Sequence, residues 1–128
     1  MSGDEDLAAF AARLRSMKGL AEAASVEAAP LVEAEVKKTA AAGTDVDGKA
    51  WPAKKDGGRA LPEAADAVTA GANGSFVILK LAGPYVYHQR AKPDDHRRPI
   101  LPTSSALPPT LRAALVEGCR RAFERLTK

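Results

Sequence analysis

Gly71-Ala72-Asn73-Gly74-Ser75-Phe76-Val77-Ile78-Leu79-Lys80-Leu81 is the stretch on which the fold turns. An Asn-Gly pair between two runs able to extend is the strongest short-range hairpin signal, because both residues accept the positive φ of a tight turn. Residues 64–70 lead into the turn and residues 75–81 lead out of it. In the second run Phe76, Ile78 and Lys80 alternate with Val77, Leu79 and Leu81, which sends one set to each face of a strand. Both faces are largely apolar. One is expected to pack on helices of the same chain, and the other at least partly on a neighbour or on the terminal helices. Gly83-Pro84 breaks the strand, and Tyr85-Val86-Tyr87-His88 reads as a further short extended piece. Residues 90–98 are polar, an exposed loop. Arg98-Pro99-Ile100-Leu101-Pro102 is bracketed by prolines, so a strand there would be short and at a sheet edge.

On the N-terminal side, Leu7, Phe10, Leu14 and Met17 recur at spacings of three and four behind Asp4, Glu5 and Asp6, which suit the positive end of a helix. This predicts a first helix ending near Gly19. Residues 20–42 predict a second, with Val26, Ala29, Val32, Val36 and Ala40 on one stripe and a stop at Gly43. Pro30 lacks an N–H, so it is expected to bend that helix or start a fresh one near Leu31. Residues 43–63 hold four glycines and two prolines among charges, the composition of a long loop. At the other end Pro108-Pro109 fits a first helical turn, and Leu111, Leu115, Cys119, Ala122 and Leu126 make one apolar face. The order predicts an α+β domain over 1–128: helical at 1–42, loop at 43–63, strands and loop at 64–102 with a small antiparallel sheet, and an amphipathic helix at 108–126.

A chain of 128 residues and 13.4 kDa fits one compact domain and excludes a multidomain enzyme. Hydrophobic residues make up 45%, but many are alanine and aromatics are only 5%, so the expected core is small. No run approaches the roughly 20 apolar residues of a bilayer span. MSGDEDLAAF opens acidic where a secretory signal would be basic, so a soluble cytoplasmic chain without membrane contact is expected. The single cysteine, Cys119, excludes an internal disulfide and a Cys-rich zinc site, and its place on the apolar face predicts a packed thiol. Charge is uneven: residues 1–89 carry 10 basic and 12 acidic side chains, residues 90–128 carry 9 and 4. The basic excess is C-terminal and modest.

Several motifs invite chemistry and fail on detail. Gly43-Thr44-Asp45-Val46-Asp47-Gly48-Lys49-Ala50 has phosphate-loop spacing, yet Ala50 stands where a magnesium-binding hydroxyl belongs, and two aspartates would repel phosphate. As a calcium loop it has its glycine too early and lacks the closing glutamate. His88, Asp94, Asp95 and His96 carry suitable groups for metal or acid–base work but match no ligand spacing. Ser104-Ser105 lies in no nucleophile elbow. No cofactor is expected. Glu117 with Arg121, and Glu124 with Lys128, are i,i+4 pairs that neutralise the last helix. Arg90, Lys92, Arg97 and Arg98 remain as a basic loop cluster, countered only by Asp94 and Asp95. Trp51 stands in a polar loop, where it either plugs the core or anchors a partner.

Taken in order, Gly43…Asp45-Val46-Asp47-Gly48-Lys49-Ala50-Trp51-Pro52, Gly58-Arg59-Ala60-Leu61, Tyr87-His88-Gln89 and Arg98-Pro99-Ile100-Leu101-Pro102 before a final helix, the chain resembles the phage virion morphogenesis family. The likeness covers about residues 5–126; the family pattern has a D-G-x-x-W loop after N-terminal helices, a Y-x-H-x-G step and an R-P-F/I-L step before the last helix. Arg90 stands where that family has glycine. The resemblance implies a non-enzymatic neck protein of tailed bacteriophages, a tail completion or head–tail joining subunit. It would be made in the host cytoplasm and form a ring, hexameric by analogy, at the head-proximal end of the tail. A terminator that caps the tail tube shares nearly every feature, and a small DNA-binding regulator is the remaining alternative. The implied partners are further copies of the chain, the head connector or adaptor, and the tail tube or terminator. On this reading Trp51, Asp45, Asp47, Tyr87 and His88 are candidates for subunit or partner contact. Arg90, Lys92, Arg97 and Arg98 then face either a neighbour or packaged DNA, held without sequence readout.

Overall fold

The computed structural model describes residues 3–52, 61–90, 98–103 and 106–126. Their layout is α+β: α1 (Gly3–Ala41), a single 3-10 turn (Ala64–Ala67), the hairpin β1 (Val68–Asn73) and β2 (Phe76–Leu81), α2 (Gly83–Arg90) and α3 (Pro109–Leu126).

Instead of two N-terminal helices there is one, 39 residues long, passing through both Gly19 and Pro30. Glycine costs a helix only about 1 kcal/mol. Proline costs more, but the ring of Pro30 is exposed, and the helix is gripped by the body on both sides of it. Ala24, Ala28 and Ala29 are buried before it, Val32, Val36 and Ala40 after it. Packing on the two flanking stretches outweighs the one missing hydrogen bond. Val26, predicted on the inner stripe, is instead 56% exposed. The stop at Gly43 is as predicted: this glycine adopts φ +77°, and the amides of Ala42 and Gly43 turn back onto the carbonyls of Lys38 and Ala40.

The hairpin forms where the sequence places it. Asn73 pairs with Phe76, so Gly74 and Ser75 are the loop residues and the turn lies one residue later than Asn73-Gly74. Gly74, at φ +61°, takes the first loop position, as in a type II′ turn. Val68, Ala70, Ala72, Val77, Leu79 and Leu81 share the inward face, while Phe76 and Ile78 remain exposed on the other. Helix α1 holds the hairpin by polar contacts at two levels. The Ser25 hydroxyl lies 2.7 Å from the Gly74 carbonyl, and the Glu33 carboxylate accepts the Ala70 amide at 2.8 Å.

No third strand joins β1 and β2 among the described residues. Residues 85–88, predicted to be extended, belong to α2. Pro84 does end β2, but as the second residue of a helix, where its preset φ favours helix and its missing N–H is not needed. Residues 98–102 form no sheet edge either. They run beside α2, as described below.

Helix α3 lies antiparallel to α1. Leu111 and Ala114 share a core with Val32 and Val36, and farther along Gly118 meets Ala28. Its buried face is Leu111, Ala114, Gly118 and Ala122. The predicted face through Cys119 and Leu126 is thereby corrected: both are exposed, and Leu115 is half-buried. Small residues let the two backbones come together, so the contact selects the stripe of Ala and Gly over the larger side chains beside it. The central core comprises Val32, Val36, Val46, Trp51, Val68, Ile100 and Leu111 with small alanines between them. Among the described residues no helix is long and apolar enough to cross a membrane.

Candidate functional site

Three of the segments singled out in the sequence meet at the end of the core away from the hairpin turn. The first is the loop after α1. Thr44 and Ala50 form an antiparallel bridge, closed by the Asp45 amide on the Lys49 carbonyl at 2.9 Å and the Trp51 amide on the Gly43 carbonyl at 3.0 Å. Inside this turn one oxygen of the Asp45 carboxylate accepts the amides of Asp47 and Lys49, each at 2.9 Å. Gly48, at φ +86°, supplies the left-handed residue the turn requires. The aspartate thus replaces a backbone acceptor, and the Asp45-Val46-Asp47-Gly48 run caps its own turn.

The turn delivers Val46 and Trp51 into the core. Trp51 is only 9% exposed, and its indole Nε1–H donates to the Pro99 carbonyl at 2.8 Å. That bond satisfies the single polar atom of the ring and fastens the first segment to the second, residues 98–102. Arg98 strengthens the same junction, its Nε donating to the Pro52 carbonyl at 3.0 Å and its backbone amide to the His88 carbonyl at 2.7 Å.

The third segment is the last turn of α2, where Gln89 acts as a clamp. Its amide oxygen accepts the backbone N–H groups of Ile100 (2.6 Å) and Leu101 (2.9 Å), while its amide nitrogen donates to the Leu101 carbonyl at 2.9 Å. One side chain therefore completes the pairing of a stretch that has no strand partner and positions Ile100, which is fully buried. Nothing in spacing or composition marks Gln89 beforehand. Its importance depends on two amides that only the folded chain brings to it.

Of the residues proposed for contact, Trp51 is buried and tied into the core. Asp45 is committed to its own turn, and Asp47 is exposed beside it. His88 is half-buried on α2. Tyr87 and Arg90 are also on α2, with side chains outside the described set, and Lys92 and Arg97 lie outside the described residues, as do Asp94, Asp95, His96, Ser104 and Ser105. Arg98 belongs to the junction itself. Next to it a shallow cavity of about 300 Å³ is lined by Asp45, Lys49, Ala50, Trp51, Pro52 and Pro99. Its walls mix one acid, one base, the Thr103 side chain and apolar surface. Among the described residues no three of His, Cys, Asp and Glu gather as a metal site requires.

The sequence misses one set of candidate contact residues. Leu7, Phe10, Val116, Phe123 and Leu126 are all more than half exposed. Leu7, Phe10 and Leu126 read in the sequence as core-facing, Val116 and Phe123 fall outside the predicted face, and only the finished packing shows that other residues took the core. No protein-family model, no curated protein and no solved structure matches the chain.

Proposed function

We propose that this chain is a structural, non-enzymatic subunit of the neck of a tailed bacteriophage, forming a homo-oligomeric ring at the head-proximal end of the tail and completing the tail for joining to the head. The reading rests on the resemblance of the D-G-x-x-W, Tyr-His and R-P-I-L steps to the phage virion morphogenesis family. What adds to it is their convergence: Trp51, Gln89 and residues 98–101, far apart in sequence, are hydrogen-bonded into one junction. Such a unit keeps the motif pieces in register and leaves a half-polar surface next to it for a neighbour. Rings of identical subunits require heterologous, head-to-tail contacts, and that kind of surface supplies one side of such a contact.

Particles assembled without this protein test the reading. Unjoined heads and tails are expected, whereas overlong tail tubes would make it a terminator. A third outcome, normal particles together with a sequence-specific shift of DNA that survives rising salt, would make it a regulator. The basic cluster is tested by changing Arg90, Lys92 and Arg97 to Glu while leaving Arg98, which the junction uses. Reduced incorporation identifies a subunit contact and altered DNA retention a channel lining. Full infectivity would remove the cluster from the proposal.

A further inference from the structure

Helix α1 is longer than the body it packs on. With α3 antiparallel, Gly118 on Ala28 and the Arg125 guanidinium 2.8 Å from Glu27, the two turns from Gly118 to Leu126 rise about 12 Å and reach back along α1 only to about Leu20. The first 17 residues of α1, roughly 25 Å, therefore run on past the end of α3 as an arm. On this arm Leu7 is 67% and Phe10 59% exposed. Leu14 and Met17 continue the same spacing in sequence, giving the 3-4-3 pattern of a coiled-coil seam.

A second stripe with the same pattern runs along α3. Val116, Cys119, Phe123 and Leu126 repeat at 3-4-3 on the flank of the helix turned away from Gly118 and Ala122, and all four are exposed. The two stripes each span about 15 Å. They cannot meet within one molecule, because the arm is continuous with α1 and points away from the end of α3. Charge favours their meeting between molecules. The arm opens with Asp4, Glu5 and Asp6, while residues 117–128 carry Arg120, Arg121, Arg125 and Lys128 against Glu117 and Glu124. The three arginines also pair with Glu117, Glu124 and Glu27, so the basic excess at this end is modest. Laid antiparallel, Leu7 falls opposite Leu126 and Phe10 opposite Phe123, the acidic start lies by the basic end, and the helix dipoles oppose favourably.

We infer that the N-terminal arm of α1 docks on the Val116–Cys119–Phe123–Leu126 stripe of a second copy of this chain. Each copy has one arm and one stripe, so the contact is head-to-tail and either repeats around a ring or closes reciprocally as a pair. Its use as a ring contact rests on the neck reading above; the self-association does not.

The test uses the full chain in sedimentation velocity over a wide concentration range, with Phe10→Glu in the arm and Phe123→Glu in the stripe, both at exposed positions. The unmodified chain should associate as concentration rises, and each variant should do so about tenfold or more weakly, since a carboxylate would be buried in an apolar seam. An equimolar mixture of the two variants should recover heterodimers through its one intact arm and one intact stripe. Leu14→Cys should form an intermolecular disulfide with native Cys119 under mild oxidation, abolished by Cys119→Ser. A monomeric unmodified chain, variants that associate normally, a mixture that stays monomeric, or no cross-link would each overturn the inference. Incorporation into phage particles separates the two proposals: arm-dependent association without incorporation refutes the neck reading alone, and normal incorporation of Phe10→Glu refutes the arm's use as the ring contact, while the sedimentation of that variant decides the self-association.

Discussion

At Gly118 the two long helices come as near as their backbones allow. A Cβ there would lie 2.5 Å from the Ala28 Cβ and under 3 Å from its Cα and N, so Gly118→Ala collides with main chain that cannot rotate aside. A cost of about 3 kcal/mol is expected, seen as a lowered urea midpoint, and an unchanged midpoint would mean that the helices cross elsewhere. Trp51 has two separable contributions. Trp51→Ala empties part of the core and should cost about 3 kcal/mol. Trp51→Phe keeps most of the volume, loses only the bond to the Pro99 carbonyl, and should cost about 1 kcal/mol by the same melts. Gln89→Leu strands the Ile100 and Leu101 amides together and is expected to cost about 2 kcal/mol despite its conserved size. Equal stability of the Leu variant would show that water replaces the clamp.

At the level of the elements, α1 holds an interior proline that its own hydrogen-bond ladder does not favour. Because the Pro30 ring faces solvent, Pro30→Ala should fill the ladder without disturbing a neighbour, raising stability by about 2 kcal/mol. A stability left unchanged or lowered would show that the helix depends on the proline's stiffness in the unfolded chain. On α3, Glu117 accepts hydrogen bonds from Arg120 and Arg121, which lower its pKa from 4.5 to about 2, and Arg120 also pairs with Glu124. A carboxyl whose folded value is depressed contributes its stabilisation above the unfolded value and loses it as pH falls through the folded one. The pairs are exposed, so the effect is small and salt weakens it. Acid titration of the unmodified chain should therefore show a loss between pH 4.5 and about 2 that Glu117→Gln lacks at low salt. Parallel titration curves for the two proteins would mean that these ion pairs do not contribute to folding.

Considered as a whole molecule, the chain divides α1 into a packed half and an arm, although the helix itself is unbroken. Amides of residues 6–15 should exchange with solvent far faster than those of residues 24–40 in dilute solution, because among the described residues the buried positions of α1 begin only at Ala24, and uniform protection would contradict the division. How much of this is legible before folding depends on the range of the forces involved. Local signals sufficed for the hairpin, the stop at Gly43, the start of α3 and the α+β class, since φ preferences, missing amides and two-residue alternation act within a few positions of themselves. They also brought the Trp51, His88 and R-P-I-L segments to notice. Whether a helix survives Pro30, which stripe of α3 turns inward, and whether residues 98–102 are strand or clamp all depend on what stands across the core. Gly118 faces inward only because Ala28 is small, Gln89 matters only because Ile100 and Leu101 arrive beside it, and the arm is bare only because α3 ends near Leu20. Short-range preferences are written in the order of the residues, whereas the competition among apolar stripes for a limited core is settled by close packing between segments distant in the chain.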